Sequence, residues 1–272
     1  MFLAQDHATE LFEAAPKRVS VRSYASTYPD AAVLDQIDAF IATLNTTATP
    51  LNIPVKLCLM REDFSMLYTF GFIGGCKYWL CGSTSKTIPF AKTAYGYLFE
   101  FLVLECTRLG LSTCWLGGSF TTSCYTAALE FNAETEVIPC VSPVGLSAGG
   151  ESWLGKVMGS RTRKPWSELF FTAEGALTEE DLVGTPFTRE MLEGVRWAPS
   201  ARNAQEWRLV VDKTTLHVFA VPTGFSGVDA GIAMAHVELG CAAAGVRGSW
   251  QSVDVKLPVA GEWDYVLSFV CE

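Results

Sequence analysis

The stretch Gly96-Tyr-Leu-Phe-Glu-Phe-Leu-Val-Leu-Glu-Cys-Thr-Arg-Leu-Gly110-Leu-Ser-Thr-Cys-Trp115 is answered later in the chain by Gly231-Ile-Ala-Met-Ala-His-Val-Glu-Leu-Gly-Cys-Ala-Ala-Ala-Gly245-Val-Arg-Gly-Ser-Trp250. Gly96, Leu104, Cys106, Gly110 and Trp115 return as Gly231, Leu239, Cys241, Gly245 and Trp250, each pair 135 positions apart. Both stretches are apolar runs closed by a glycine and then by a short piece ending in tryptophan. The alternative is coincidence between two buried helices. Tyr95 to Leu109 carries only Glu100, Glu105 and Arg108 as charges, and Ala230 to Ala244 only Glu238. Helices that are apolar nearly all round are buried on most sides, so the two are expected to pack on each other as a central layer. Gly110 and Gly245 are expected to stop them in the left-handed conformation.

Outward from this pair, Ala32 to Leu44 reads as an amphipathic helix with Asp30 as N-cap. Leu51 to Met60, Lys77 to Leu80 and Val137 to Val144 read as strands. In the second half, Thr188 to Trp197 reads as a helix capped by Thr188. Trp207 to Val211 and Leu216 to Val221 read as a hairpin across Asp212-Lys213, and Tyr265 to Cys271 as a last strand. Helices and strands mix without strict alternation, which favours α+β over a doubly wound sheet. Gly149 to Asp181 holds the connection between the halves, placed as residues 1–175 and 176–272.

With 49% hydrophobic and 18% charged residues over 272 positions, the chain is far from the composition of disordered or fibrous proteins. Its net charge of -9 repels a phosphate backbone, which argues against nucleic acid as a partner. The nine cysteines form no CxxC pair and sit mostly in apolar runs, a pattern of buried thiols in a reducing cytoplasm. The three histidines, His7, His217 and His236, have no metal-ligand spacing, so no metal site is expected. The first residues do not read as a secretory signal. Leu109 to Leu129 is uncharged but broken by glycines, serines and threonines, so no membrane span is expected.

Among chemical motifs, Gly82-Ser-Thr-Ser-Lys-Thr87 lacks the glycine that a P-loop needs before its lysine, and no GxGxxG occurs. Gly145-Leu-Ser-Ala-Gly149 matches a nucleophile elbow at Ser147, but the glycine-rich Gly150 to Gly155 follows where a helix is required. Three clusters remain. Arg18, Ser20 and Arg22 alternate, so an extended segment aims two guanidinium groups and a hydroxyl the same way, as an oxyanion receptor or as a solvated basic strand. Ala198-Pro-Ser-Ala-Arg-Asn-Ala-Gln-Glu-Trp207 places Ser200, Asn203 and Gln205 on an irregular segment, to meet a ring edge or to cap turns. Ser160-Arg-Thr-Arg-Lys164 is a second basic run with alternating arginines.

Together these motifs resemble the FMN-dependent nitroreductase family over most of the chain. Arg18-Val19-Ser20-x-Arg22 is similar to its amino-terminal flavin motif, and Pro199-Ser200-Ala201-x-Asn203-x-Gln205-x-Trp207 to its Pro-Ser-x-x-Asn-x-Gln-Pro-Trp motif, with Glu206 in place of the proline. Gly110 to Gly118 resembles the glycine segment beside the flavin, and Arg161-Thr-Arg-Lys-Pro165 the basic segment near the carboxy terminus. In ordinary members the two motifs lie close in sequence and meet across a dimer. Here they are far apart, so the resemblance implies both subunits fused into one pseudo-dimeric chain. The counterpart of the second motif around Leu44 to Pro50 is eroded, leaving one flavin site.

The resemblance implies a nitroreductase-like α+β fold and an FMN-dependent oxidoreductase that carries hydride from NADH or NADPH to a small acceptor such as a nitroaromatic or quinone. A flavin-binding protein that stores or senses FMN without turnover is the alternative. Arg18, Arg161 and Arg163 would hold the phosphate, with Val19 and Ser20 nearby and Arg22 at the pyrimidine edge. Leu116, Gly117 and Gly118 would bring a backbone N-H to flavin N5. Pro199, Ser200, Ala201, Asn203 and Gln205 would line the ring and the ribityl chain. No catalytic acid or base of the protein is implied. The chain is expected to act as a monomer built like a dimer, with further self-association open.

Overall fold

Two long helices set the frame, and each starts earlier than its apolar run suggests. The computed structural model describes residues 2–64, 66–149, 161–255 and 262–272. In chain order the helices are α1 (Gln5–Ala14), α2 (Ala31–Thr46), α3 (Ala91–Arg108), α4 (Thr126–Leu129), α5 (Arg189–Arg196) and α6 (Ser226–Ala243). The strands are β1 (Val55–Arg61), β2 (Tyr78–Ser85), β3 (Ser112–Thr113), β4 (Glu136–Val137), β5 (Ser142–Gly145), β6 (Phe170–Phe171), β7 (Trp207–Asp212), β8 (Thr215–Ala220), β9 (Gly248–Gln251) and β10 (Asp264–Cys271).

Helices α3 and α6 cross at Gly96 and Gly231, the pair that opens the sequence repeat. A Cβ on Gly96 would lie 2.2 Å from the Val228 carbonyl oxygen, and one on Gly231 would lie 2.0 Å from that of Thr93. The contact is reciprocal, because Val228 is Thr93 shifted by the same 135 positions that relate the glycines. Only glycine allows the two backbones to approach this closely. Leu98, Phe99, Phe101, Leu102 and Leu104 on α3, with Met234 and Leu239 on α6, are fully buried around the crossing. Each such side chain contributes roughly 1.5–3 kcal/mol on burial, which accounts for the near absence of charge in both runs. Gly110 and Gly245 have φ of 78° and 71°, so they end the helices in the left-handed conformation as expected.

The carboxylates inside this layer repeat the reciprocity. Glu100 accepts from Trp115 Nε1 at 3.1 Å and lies 2.9 Å from Nε2 of His236 on α6. Glu238 accepts from Trp250 Nε1 at 2.7 Å and from the Tyr97 hydroxyl of α3 at 2.6 Å. Each glutamate thus takes the tryptophan of its own half and a polar group of the opposite helix. Nδ1 of His236 lies 2.9 Å from the Gly194 carbonyl, which can only accept, so that nitrogen carries hydrogen.

Each half carries a sheet on its side of the helix pair. One runs β1-β2-β5-β3, with β4 also on β2; the other runs β6-β7-β8-β10-β9. Setting aside β4 and β6, both sheets place their strands in the same order, first, second, fourth, third, with the long helix between second and third. Phe170–Phe171 joins the second sheet in parallel with β7, so chain from before residue 175 edges the sheet built after it.

Several expectations shift, each for a local reason. The strand expected from Leu51 begins at Val55, because Asn52 has φ 54° and Pro54 has no N-H. The segment expected to end at Leu80 continues to Ser85. Buried Ser83 and Thr84 are satisfied there by Glu136 and by the Pro54 carbonyl, so the P-loop-like residues form a strand. Val137 to Val144 is interrupted before Ser142 and contains Pro139. Thr188 caps α5, its hydroxyl accepting from Met191 N at 3.3 Å. The Asp30 side chain makes no capping bond. Helix α1 was missed entirely.

Ser147 pairs with Tyr24 in a β-bridge, and its hydroxyl accepts from Gly149 N. His217 bonds Ser268 and His236 bonds Glu100, so neither serves Ser147 as a base. Gly150 to Gly155 and Ser160 lie outside the described residues. Among the described residues no helix is long and apolar enough to cross a membrane.

Candidate functional site

The Arg-Ser-Arg segment reaches its place by extending the first sheet. Ser20 bridges Thr113 in parallel, and Val21 N donates to the Thr113 carbonyl at 2.9 Å. With the backbone extended, Val21 turns into the interior while Arg18, Ser20 and Arg22 face a cavity of about 410 Å³. Leu116, Gly117 and Gly118 form another part of its wall, positioned where Leu116 pairs with Val141 through both backbone groups. From the second half come Pro199, Ser200, Ala201 and Asn203, and from the basic segment Arg163. Three predicted residues do not line it. Val19 is 41% exposed, and Arg161 and Gln205 are not among the lining residues.

Gln205 and Asn203 have a structural task. Gln205 is buried, its Oε1 accepting from Lys164 N at 2.8 Å and its Nε2 donating to the Asn203 carbonyl at 2.9 Å. Asn203 donates from Nδ2 to the Thr162 carbonyl at 2.8 Å and accepts from Arg163 Nη1 at 3.2 Å. Arg202, Asn203 and Gln205 all have positive φ, near 50–60°, and Ser200 Oγ closes the turn by accepting from Gln205 N at 2.8 Å. The second motif therefore grips the basic segment and presents it to the cavity. Arg161 and Arg163 both stack on Trp197, at 5.3 and 4.9 Å from the ring centroid.

This wall concentrates positive charge. Arg18 is buried, and its Nε and Nη1 have no hydrogen-bond partner among the described residues; the same holds for Nη1 of Arg22. Burial pulls the Arg18 pKa below its ordinary value; Arg161 adds to this, while Glu100 and Cys114 oppose it. Burial likewise lowers Arg163 to about 10, reinforced by Arg18, Arg161 and Arg196, so it stays charged at neutral pH. A guanidinium buried without acceptors is costly, and crowded cations worsen it. An anion with several acceptor oxygens removes both costs.

Several other cavity residues lie outside the motifs, although Trp115 belongs to the glycine segment. Phe72, Trp115, Cys140, Phe225, Val228 and Ile232 supply apolar wall, and Asp229 supplies a carboxyl. Phe225 adds a packing reason for Gly117, since a Cβ there would lie 2.6 Å from the Phe225 ring. The aromatic pieces come from loops and helix ends without periodicity. Asp229 lies just ahead of the apolar run that starts at Ala230, and only its burial in the first turn of α6 marks it out.

Fold and cavity define a two-sheet α+β protein with a partly apolar, arginine-lined cavity. A profile of the family described as "Putative TM nitroreductase" matches residues 10–241, and the chain belongs to that family. The structure is similar to that of a "putative nitroreductase" from Thermotoga maritima, at 18% identity and a TM-score of 0.66, with 96% of this chain and 93% of that one covered. It is also similar to a nitroreductase family protein from Clostridium difficile, at 19% identity and a TM-score of 0.44, over 58% of this chain and 94% of the other. A "putative nitroreductase" from Desulfovibrio desulfuricans, solved in complex with FMN, gives 17% identity and a TM-score of 0.44 over 58% and 93%. No curated protein matches the chain.

Proposed function

We propose that the protein is an FMN-dependent oxidoreductase that takes hydride from NADH or NADPH and passes it to a small acceptor such as a nitroaromatic or quinone. The observation that carries this reading is Arg18, buried in the cavity with its Nε and Nη1 unpartnered among the described residues. The cavity also suits the rest of such a ligand, since Trp115, Phe225, Val228 and Ile232 give apolar wall for a planar ring. Arg18 with Arg163 would hold the phosphate, and Arg161 would add charge from behind. Arg22 would face the ring's electron-rich edge, and the Gly117-Gly118 backbone would lie along the ring. Bound FMN would supply the hydride chemistry at its N5 atom.

The same reading makes the chain a monomer organised as a fused dimer, with halves at 1–175 and 176–272. The reciprocal crossing at Gly96 and Gly231 and the common strand order support it. All nine cysteines are free, which suits the cytoplasm we propose as its setting.

The test is the absorbance spectrum and flavin content of the purified protein, followed by NADH and NADPH oxidation. One FMN per chain with turnover is the expected result. Two per chain would contradict a single site, and bound flavin without turnover would favour storage or sensing.

A further inference from the structure

Asp229 belongs to the cavity yet to none of the flavin motifs. It stands in the first turn of α6, 2% exposed, and lines the cavity wall. Both its oxygens accept from one donor, the Ala201 N-H of the Pro-Ser-Ala segment, at 3.0 and 3.2 Å. A carboxylate has about four acceptor positions, so one shared N-H leaves most of that capacity unused. The charged groups around it are few. Glu206 adds negative charge, and Cys140 faces it from the first half, with Lys92 of α3 acting on that thiol. Arg18, Arg22, Arg163 and Arg202 line the same cavity. Among the described residues that line it, Asp229 is the one carboxyl beside four arginines.

Resting on the flavin reading of the cavity, we propose that Asp229 is its proton-carrying residue: it takes one proton from solvent when a flavin occupies the cavity, and then donates its O-H to the ligand. The balance is simple: a carboxylate and a solvent proton become a carboxylic acid, with no electron moved. The Ala201 N-H still meets a carbonyl oxygen in the neutral form, so the loop keeps its place. Burial, with Glu206 adding, raises the Asp229 pKa from 3.8 to about 7, so the proton sits at the edge of binding near neutral pH. A ligand that removes further water from the group, or brings negative charge, tips it to the neutral form.

The test uses the full chain and riboflavin, which lacks the phosphate whose own ionisation would confuse the readout. Calorimetry in two buffers of different ionisation enthalpy should show up to one proton taken up per riboflavin above pH 7. Affinity should then fall by up to tenfold per pH unit there, and Asp229→Asn should show neither effect. A ligand-free measurement stands beside it. A group with a raised folded-state pKa destabilises the fold as pH rises from about 4 to 7, so unfolding should show the wild type losing stability relative to Asp229→Asn across that window. Riboflavin binding without proton uptake, or with the same pH profile in both proteins, overturns the role of Asp229 and leaves the flavin reading standing. No flavin binding at any pH, by riboflavin or FMN, overturns both.

Discussion

The crossing of α3 and α6 and the rim of the cavity belong to the same two halves, and they treat the likeness between those halves in opposite ways. At the crossing, Gly96 meets Val228 as Gly231 meets Thr93, and the buried glutamates exchange partners in the same crosswise manner. At the rim, little is shared. The β1–β2 connection of the first half spans residues 62–77 and sends Phe72 into the cavity, whereas β7 and β8 join by a tight turn at Lys213. In the Leu44 to Pro50 stretch, read as the counterpart of the Ser200 segment, the Thr49 hydroxyl accepts from Ile53 N and the Asn45 amide brackets Leu57. Those polar groups are spent on their own backbone. Where backbone meets backbone, neither half can change alone; where loops end in space, one half can lose what the other keeps.

The largest effect that could break this comparison is at the glycines. Gly231→Ala gains about 1 kcal/mol of helix propensity but places a methyl about 2 Å from the Thr93 oxygen, and backbone must move. A net loss of roughly 3 kcal/mol or more is expected in denaturant unfolding, with Gly96→Ala equally severe. If one is tolerated and the other is not, the crossing is not reciprocal in energy.

Next in size is the arginine that only one half provides. Arg18→Met removes a charge-assisted contact worth about 1.5–3 kcal/mol, so FMN affinity by fluorescence titration should fall roughly ten- to two-hundredfold. The ligand-free protein should melt at a higher temperature, because a buried guanidinium whose Nε and Nη1 lack partners among the described residues is gone. A lower melting temperature would mean that Arg18 is satisfied within the protein.

The smallest effect separates α2 from α5, helices in like positions of the two halves. Thr188→Ala should cost about 1 kcal/mol through the lost bond to Met191 N. Asp30→Ala should cost only a few tenths, since no capping bond exists to lose and only the interaction with the helix dipole remains. Equal losses in chemical denaturation would show that the two caps work alike.

These differences also mark what the sequence made legible. The long helices, their terminal glycines and the Trp207–Ala220 hairpin were readable because periodicity, apolar runs and left-handed glycines act within a few residues. The Arg-Ser-Arg geometry was readable because alternation along an extended chain is local as well. Where the Gln205 side chain points was not legible, because its partner, Lys164 N, lies 41 positions away and only the fold brings it near. The Asp30 side chain and the extent of β2 turned on single backbone angles or on burial of small polar residues, which composition does not reveal. Asp229 was missed because an acid at a helix start is ordinary on a surface and becomes unusual only once buried.

Both sides of the Gly96–Gly231 crossing lie on one polypeptide, and that alters how the molecule meets dilution. Two separate subunits joined by such an interface come apart as their concentration falls, and any site shared between them goes with it. Here the partner is always tethered, at an effective concentration that short linkers typically hold near the millimolar range. Mass action therefore has no hold on the cavity, which keeps both its walls in a cell that makes only a few copies of the chain.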